Sequence, residues 1–420
     1  MASEARSGKG HAAIIGAGIV GVSTAIWLQR AGWKVTLFDG KGIGEATSFG
    51  NGGVLASCAV VPVTGPGLWA KAPAMLFSSG QPLFMKWGYL PRLAPWLMKY
   101  MRHCNAADTR RIAAALAPII SDSLADHEAL ARGTVAEKYL HPSDYVYVYN
   151  DRSEFESEAF SWSIRSEYGF QWDELSGPSL RVYLPQLAKR DSFGIRLKNH
   201  GRISDPGAYV KALAEHVISQ GGEFVQTDVS DIEISNGEVT GIVTTHGLQK
   251  FDKVVLNAGV WSAKLMKRLG IDVPLESERG YHMELWDPSE TVPAPLMISA
   301  GKFVVTPMDG RIRLAGILEF GGLDAAPSEA PYRLLEKKFR DAFPKISWKQ
   351  TTRWMGHRPA TSDSIPVIGE LPGAKGVFAG FGHHHVGLTG GPATGRLLSQ
   401  IIDGAKPNID LEPYSPLRFK

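Results

Sequence analysis

The first forty residues constrain the chain more than any other stretch. Ala12 to Ile15 is a short apolar run suited to a buried strand. Gly16-Ala17-Gly18-Ile19-Val20-Gly21 follows directly. A helical pattern then runs through Ala25, Ile26, Leu28 and Ala31, and Gly32 supplies a stop. A second strand, Val35 to Phe38, ends at Asp39. Strand, glycine turn, helix, strand and acid, in that order, predict a dinucleotide-binding unit. Gly16 permits the tight turn, Gly18 lets backbone approach a pyrophosphate, and Gly21 lets helix pack closely on strand. Ile19 and Val20 open the helix, whose unpaired N–H groups and positive dipole end favour phosphate. Asp39 stands where an acid accepts hydrogen bonds from ribose hydroxyls, and it disfavours a 2′-phosphate.

Two further glycine-rich segments decide between nucleotides. Near the C-terminus Gly380-Phe381-Gly382-His383-His384-His385-Val386-Gly387-Leu388-Thr389-Gly390-Gly391-Pro392 precedes a helix expected from about Pro392 to Ile402, with Pro392 in its first turn. FAD is long, and a second helix N-terminus facing its ring would stabilise the negative charge of the reduced flavin. An NAD-dependent dehydrogenase leaves this segment without a role. The third segment, Glu45 to Gly53, includes Thr47, Ser48, Asn51, Gly52 and Gly53, small residues that let amides and hydroxyls touch a cofactor. Val254 to Leu256 forms another apolar strand and runs into Asn257-Ala258-Gly259.

The rest of the chain sets limits. With 420 residues, two packed domains are expected. A net charge of +3 argues against a nucleic-acid partner. Two cysteines, Cys58 and Cys104, make no disulfide framework or metal knuckle, which suits a reducing compartment. No secretory signal or bilayer-spanning run is read, so the expected location is cytoplasmic, with peripheral contact at the inner face of the membrane as an option. That option rests on residues 60–105, rich in Pro and Trp without clean helical periodicity. They read as a lid or a membrane-touching insertion, or equally as irregular core packing. Residues 109–135 look helical, Ser204-Asp205-Pro206 opens another helix, and 280–320 reads as antiparallel strands.

The order GAGIVG, acid, TSFGNGG, GHRPATSDSIPVIG and FGHHHVGLTGGP resembles the FAD-dependent D-amino-acid oxidase superfamily. Within it the chain is similar to bacterial D-amino-acid dehydrogenase small subunits and to glyphosate oxidoreductase-like enzymes. The narrower likeness lies in Glu278-Arg279-Gly280-Tyr281-His282, Gly301-Lys302-Phe303, Thr306-Pro307-Met308, Glu319-Phe320 and Trp354 to Pro359. The resemblance implies that Arg358 binds the substrate carboxylate, as a guanidinium fork can. Relatives place a Tyr near Phe303, which has no hydroxyl, so Lys302 or Tyr281 is the substitute. It further implies that Ser48, Asn51, Gly52, Gly53, Gly387, Leu388 and Thr389 lie around the cofactor; Val229, Asn257, Ala258 and Gly259 are further cofactor-site candidates. With no Cys after Cys104, the FAD should be non-covalent.

His383-His384-His385 invites a metal, but three consecutive side chains cannot all face one ion in an extended segment, so none is expected. His385 is the pocket candidate of the three, and His282 is another. The expected reaction is hydride transfer from the carbon alpha to nitrogen onto flavin N5, giving an imine that hydrolyses. No general base is assigned. The substrate is a small amino acid: a D-amino acid, an imino acid, or an N-substituted glycine such as sarcosine or glyphosate. The acceptor is a quinone or oxygen, with a dehydrogenase favoured over an oxidase. A flavin subunit of a multi-chain dehydrogenase is the alternative, and the oligomeric state stays open. The expected fold is α/β, with a discontinuous Rossmann-like FAD domain over 10–58, 195–275 and 345–420. A mainly antiparallel α+β substrate domain takes 59–194 and 276–344.

Overall fold

The computed structural model describes residues 9–68, 83–189 and 191–420. Two large sheets organise them. The first has six strands in the order Val367–Glu370, Val377–Phe381, Lys253–Leu256, His11–Ile15, Lys34–Phe38 and Glu223–Val225. All its pairs are parallel except the first, so the sheet is of the doubly wound kind. The glycine turn follows His11–Ile15 and the C-terminal glycine segment follows Val377–Phe381, with Lys253–Leu256 between these two strands. A three-stranded meander, Val229–Ser235, Glu238–Thr244 and Gly247–Lys250, forms a separate sheet packed against it.

The second sheet is long and mostly antiparallel. Its path runs Gln350–Thr361, Leu275–Trp286, Arg311–Phe320, Phe303–Met308, Leu296–Ile298, Leu140–Tyr149, Phe193–Ile203 and Val54–Leu55. Most of Phe193–Ile203 and all of Gln350–Thr361 lie in segments expected for the nucleotide unit, and their strand hydrogen bonds are made in this sheet.

The chain ends meet through two helices, Ile19–Arg30 and Gly387–Ile402. A Cβ on Gly395 would stand 2.7 Å from Ser23, and one on Gly391 3.0 Å from Ile19. Only glycine lets these backbones approach so closely. The second helix starts at Gly387, five residues before the position expected from Pro392. Proline inside a helix has no N–H for the carbonyl four residues earlier. Here that carbonyl, on Leu388, accepts from His127 Nε2 at 2.9 Å, and the neighbouring Thr389 carbonyl accepts from Ser123 Oγ at 2.8 Å. Outside donors therefore replace what Pro392 removes. Asp205 caps the helix Pro206–Ser219 as expected, its Oδ1 accepting from Ala208 N at 3.0 Å.

Residues 109–135, expected to be helical, hold most of two helices, Ala106–Ile120 and Ser123–Ala131. Within 60–105, Leu90–Arg102 is an amphipathic helix despite Pro91 and Pro95. Pro91 occupies its first turn, where an N–H would have no intrahelical acceptor. Trp96 is buried and donates to the carbonyls of Pro274 and Ala360, at 3.2 and 3.1 Å. Leu83–Met85 pairs with Arg311–Phe320. Part of that stretch is thus core packing, and 69–82 lies outside the described residues. No helix among the described residues is long and apolar enough to cross a membrane.

Candidate functional site

The glycine turn sits at the C-terminal end of the parallel sheet, where ligands bind in such folds. Gly16 has a left-handed φ of +109° and donates to Phe38 O at 2.7 Å. A Cβ there would overlap the Asn257 carbonyl, and one on Gly21 would overlap Gly16. Both glycines therefore serve close packing, whereas Gly18 faces open space beside Ser48. Ser48 Oγ accepts from Ile19 N at 3.0 Å and caps the helix. Asp39 accepts from Ala17 N at 2.9 Å, Lys41 N at 2.8 Å and Gly42 N at 3.2 Å. It ties three loop amides together, and its oxygens keep lone pairs for further donors.

One cavity of about 1210 Å³ runs from this turn to the second sheet. Of the residues expected around the cofactor, Gly16, Gly18, Ile19, Val20, Asp39, Thr47, Ser48, Asn51, Gly52, Val229, Asn257, Ala258, Gly259, Gly387, Leu388 and Thr389 line it. Gly21 and Gly53 stand behind the wall. Gly387, Leu388 and Thr389 form the first turn of their helix, so both chain-end helices aim their free amides at the same space. Asn257 Nδ2 donates to Gly380 O at 2.9 Å, but its buried Oδ1 has no partner among the described residues.

The 49–53 loop is braced from below. Arg313, 1% exposed, donates to Phe49 O and Asn51 O at 3.0 and 2.6 Å, and to Glu284 Oε1 at 2.6 Å. Arg311 joins the same carboxylate at 2.7 Å. Burial alone would raise the Glu284 pKa, but the two guanidinium groups outweigh it and hold the carboxyl at about 2. Thr306 Oγ1 donates to Gly52 O at 2.6 Å.

The far end of the cavity is a face of the second sheet. Small residues on adjacent strands, Gly356, Gly280 and Ala315, leave room there. Arg358 lies over Gly280, whose added Cβ would be 2.5 Å from Arg358 Cζ. Its guanidinium lines the cavity and makes no hydrogen bond with any described residue. Burial lowers its pKa and Glu278 opposes the shift, yet a guanidinium stays charged. His385 also faces the cavity. Burial, with His384 and Arg358 close by, pushes its pKa down to about 3, so the ring is neutral.

The other three candidates differ. Lys302 sits at the rim with φ +52° and pairs with Glu158 at 3.0 Å. Tyr281 touches the wall, but its hydroxyl donates to Glu319 at 2.6 Å and accepts from Ser328 N at 2.9 Å. His282 is not in the wall. Its Nδ1–H donates to Gly50 O at 3.1 Å and its ring stacks on Trp354. Burial, with Arg313 nearby, lowers its pKa to about 3. It is a brace for the 49–53 loop. All three histidines of the run line the cavity, but His383 is also bonded to Thr394 Oγ1 and His384 to Thr361 O, while the His385 ring has no hydrogen bond to a described residue.

Sequence reasoning missed Glu278, Trp354, Tyr145, Tyr147 and Arg165, which also line the cavity. Tyr145 and Tyr147 alternate on one strand face, a signal that was legible. Arg165 lies on a helix far away in sequence, and no local pattern marks it.

Comparison with known proteins settles the family. A family model described as FAD dependent oxidoreductase matches residues 11–401. The chain belongs to that family. This flavoenzyme is 37% identical to a D-amino-acid oxidase of Bradyrhizobium diazoefficiens, over 97% of this chain and 99% of that one. It is 28% identical to a D-amino acid dehydrogenase of Allorhizobium ampelinum, over 94% and 96% of the two chains. A glycine oxidase structure from Geobacillus kaustophilus superposes with a TM-score of 0.74 at 21% identity, over 97% of this chain and 98% of that one. The last shows a shared fold. With FAD as the family's cofactor, the NAD-dependent alternative falls.

Proposed function

We propose that this flavoenzyme oxidises the C–N bond of a small amino acid, a D-amino acid first of all, held by its carboxylate on Arg358. One observation carries this: the Arg358 guanidinium opens into the cavity without a hydrogen-bond partner among the described residues. A half-buried charge without a counter-ion favours a ligand that pairs with it. A carboxylate matches its geometry with two parallel hydrogen bonds. The D-amino-acid oxidase and dehydrogenase among the relatives support the substrate class.

The cavity residues fit FAD. The amides opening the helix Ile19–Arg30 suit a diphosphate, and Asp39 suits ribose hydroxyls. The first-turn amides of Gly387–Ile402 suit the ring end, and Asn257 Oδ1 is an acceptor in need of a donor. When bound, FAD supplies the two-electron acceptor. The protein's part is to fix the substrate carbon, exclude water and keep neutral groups such as His385 around the amine. With Cys58 and Cys104 both buried, the cofactor is held non-covalently. We take the parallel sheet and its helices as the FAD unit and the long sheet as the substrate unit. The electron acceptor is oxygen or a membrane quinone, at the cytoplasmic side.

Arg358→Ala tests this. It should retain FAD and lower kcat/KM by more than a hundredfold, chiefly through KM. Unchanged kinetics would remove Arg358 from the site. Purified protein should reduce an artificial dye with a D-amino acid unaided; activity only with added partner chains would favour a flavin subunit of a larger enzyme.

A further inference from the structure

An amino acid reaches the cavity as an ammonium, and its nitrogen lone pair becomes available only after a proton leaves. This step rests on the amino-acid reading above. The wall beside Arg358 contains a group placed to take that proton. Glu278 stands opposite Arg358 in the strand register, is 6% exposed and lines the cavity. Among the described residues its carboxylate accepts no hydrogen bond, and the basic atom nearest to it is His384 Nδ1, at 3.9 Å.

His384 has little freedom. Its Nε2–H donates to Thr361 O at 2.9 Å, so in the neutral ring Nδ1 presents a lone pair to Glu278. Thr361 Oγ1 cannot change that, because it donates to Ile365 O at 2.9 Å. The His384 backbone holds a left-handed φ of +49°, with its N–H on Pro359 O at 3.0 Å. The strand that carries Arg358 thus also fixes His384. Two acceptors face each other with room for one proton between them.

The other groups around this pair leave it the task. Arg358 faces it from the paired strand. Tyr100, on the helix Leu90–Arg102 with Cys104 behind it, is kept protonated by burial and by Glu278. Glu276 is engaged by Tyr89 Oη at 3.1 Å and Ser277 N at 2.8 Å. His383 Nε2 is bonded to Thr394 Oγ1 at 2.9 Å, and His385 is neutral in the cavity.

We propose that Glu278 is the proton acceptor for the substrate ammonium. An N–H bond of the ammonium breaks as an O–H bond forms on Glu278, and His384 Nδ1 accepts a hydrogen bond from the new O–H. The N–H bonding pair stays on nitrogen as the amine lone pair, a carboxylate lone pair forms the O–H bond, and nothing is oxidised or reduced. Arg358 and Glu278 then complement the two ends of a zwitterion. Glu278 is catalytic in this scheme and His384 positions it.

Glu278→Gln and His384→Asn test it in the FAD-loaded protein; Asn tolerates the left-handed backbone at 384. Two readouts are taken: kcat/KM for a D-amino acid against pH, and acetate binding followed by the flavin spectrum. Glu278→Gln should lower kcat/KM at pH 7 by roughly a hundredfold. The loss should shrink as rising pH supplies free amine. Acetate, which has no ammonium, should bind several-fold tighter once the neighbouring negative charge is gone. His384→Asn should shift the same acid limb by a smaller amount with FAD content unchanged. A wild-type pH profile in Glu278→Gln, an equal loss at every pH, or unaltered acetate binding would overturn the proposal. If wild-type protein oxidises no amino acid, the functional reading has failed and this step with it. If wild type is active and Glu278→Gln matches it, only this step has failed.

Discussion

Replacing Arg313 with Met should loosen the whole cofactor end of the cavity. Its guanidinium serves Glu284 and the carbonyls of Phe49 and Asn51 at once. Met fills similar volume but leaves two loop carbonyls without a donor and Glu284 with Arg311 and Thr352 only. Breaking a buried pair by removing one partner costs about 3–5 kcal/mol. The sign with pH follows from Glu284. Its carboxyl is held at about 2 against an ordinary 4.5. The stabilisation is therefore complete above pH 4.5 and is lost as pH falls toward 2. A shift of that size corresponds to about 3 kcal/mol, the same order as the first figure. Urea unfolding of the FAD-loaded protein at several pH values measures both. Arg313→Met should be less stable by about 3–5 kcal/mol near neutrality, with the gap narrowing in acid. It should also bind FAD more weakly, since the 49–53 loop loses its brace. A variant within about 1 kcal/mol of wild type at pH 7 would refute the reasoning, because a network worth so little would be ordinary surface electrostatics.

Other expectations follow from the same geometry. His127, His282, His357 and His383 have pKa values lowered to about 4, 3, 4 and 3, chiefly by burial. Stability should therefore be full above pH 6.5 and fall as pH drops below it; a flat thermal midpoint between pH 7 and 5 would contradict this. Gly395→Leu would push against Ser23 across the helix crossing. It should abolish soluble FAD-loaded protein, and normal flavin content in that variant would argue against the packing role. FAD should separate from the chain on denaturation, as the supernatant after acid precipitation would show; flavin retained with the precipitate would mean a covalent link.

Much of the nucleotide end was legible because close backbone approach leaves glycine no substitute. Gly16 and Gly21 announce the turn, and the strand and helix beside them follow from periodicity. Asp205 and Pro206 marked their helix start in the same local way. Pro392 misled, because a proline reads as a first-turn residue unless a distant donor serves the freed carbonyl, and His127 is far off in the chain. Arg358 could be named through family resemblance, but its free guanidinium could not be foreseen. His282 and Tyr281 looked alike as neighbours on one strand. Their neighbours across the sheet decide their roles: Gly50 and Trp354 for one, Glu319 for the other. Glu278 belongs to a segment that carries the family likeness, yet nothing local gave it a role, since its meaning depends on His384, which reaches it from another part of the chain.

Anaerobic addition of a D-amino acid to the yellow, FAD-loaded protein probes the shared cavity most directly. The flavin absorbance should bleach with wild type and fail to bleach at the same concentration with Arg358→Ala, although dithionite bleaches both. A wild-type flavin that dithionite reduces but no amino acid touches would contradict a carboxylate seat on Arg358.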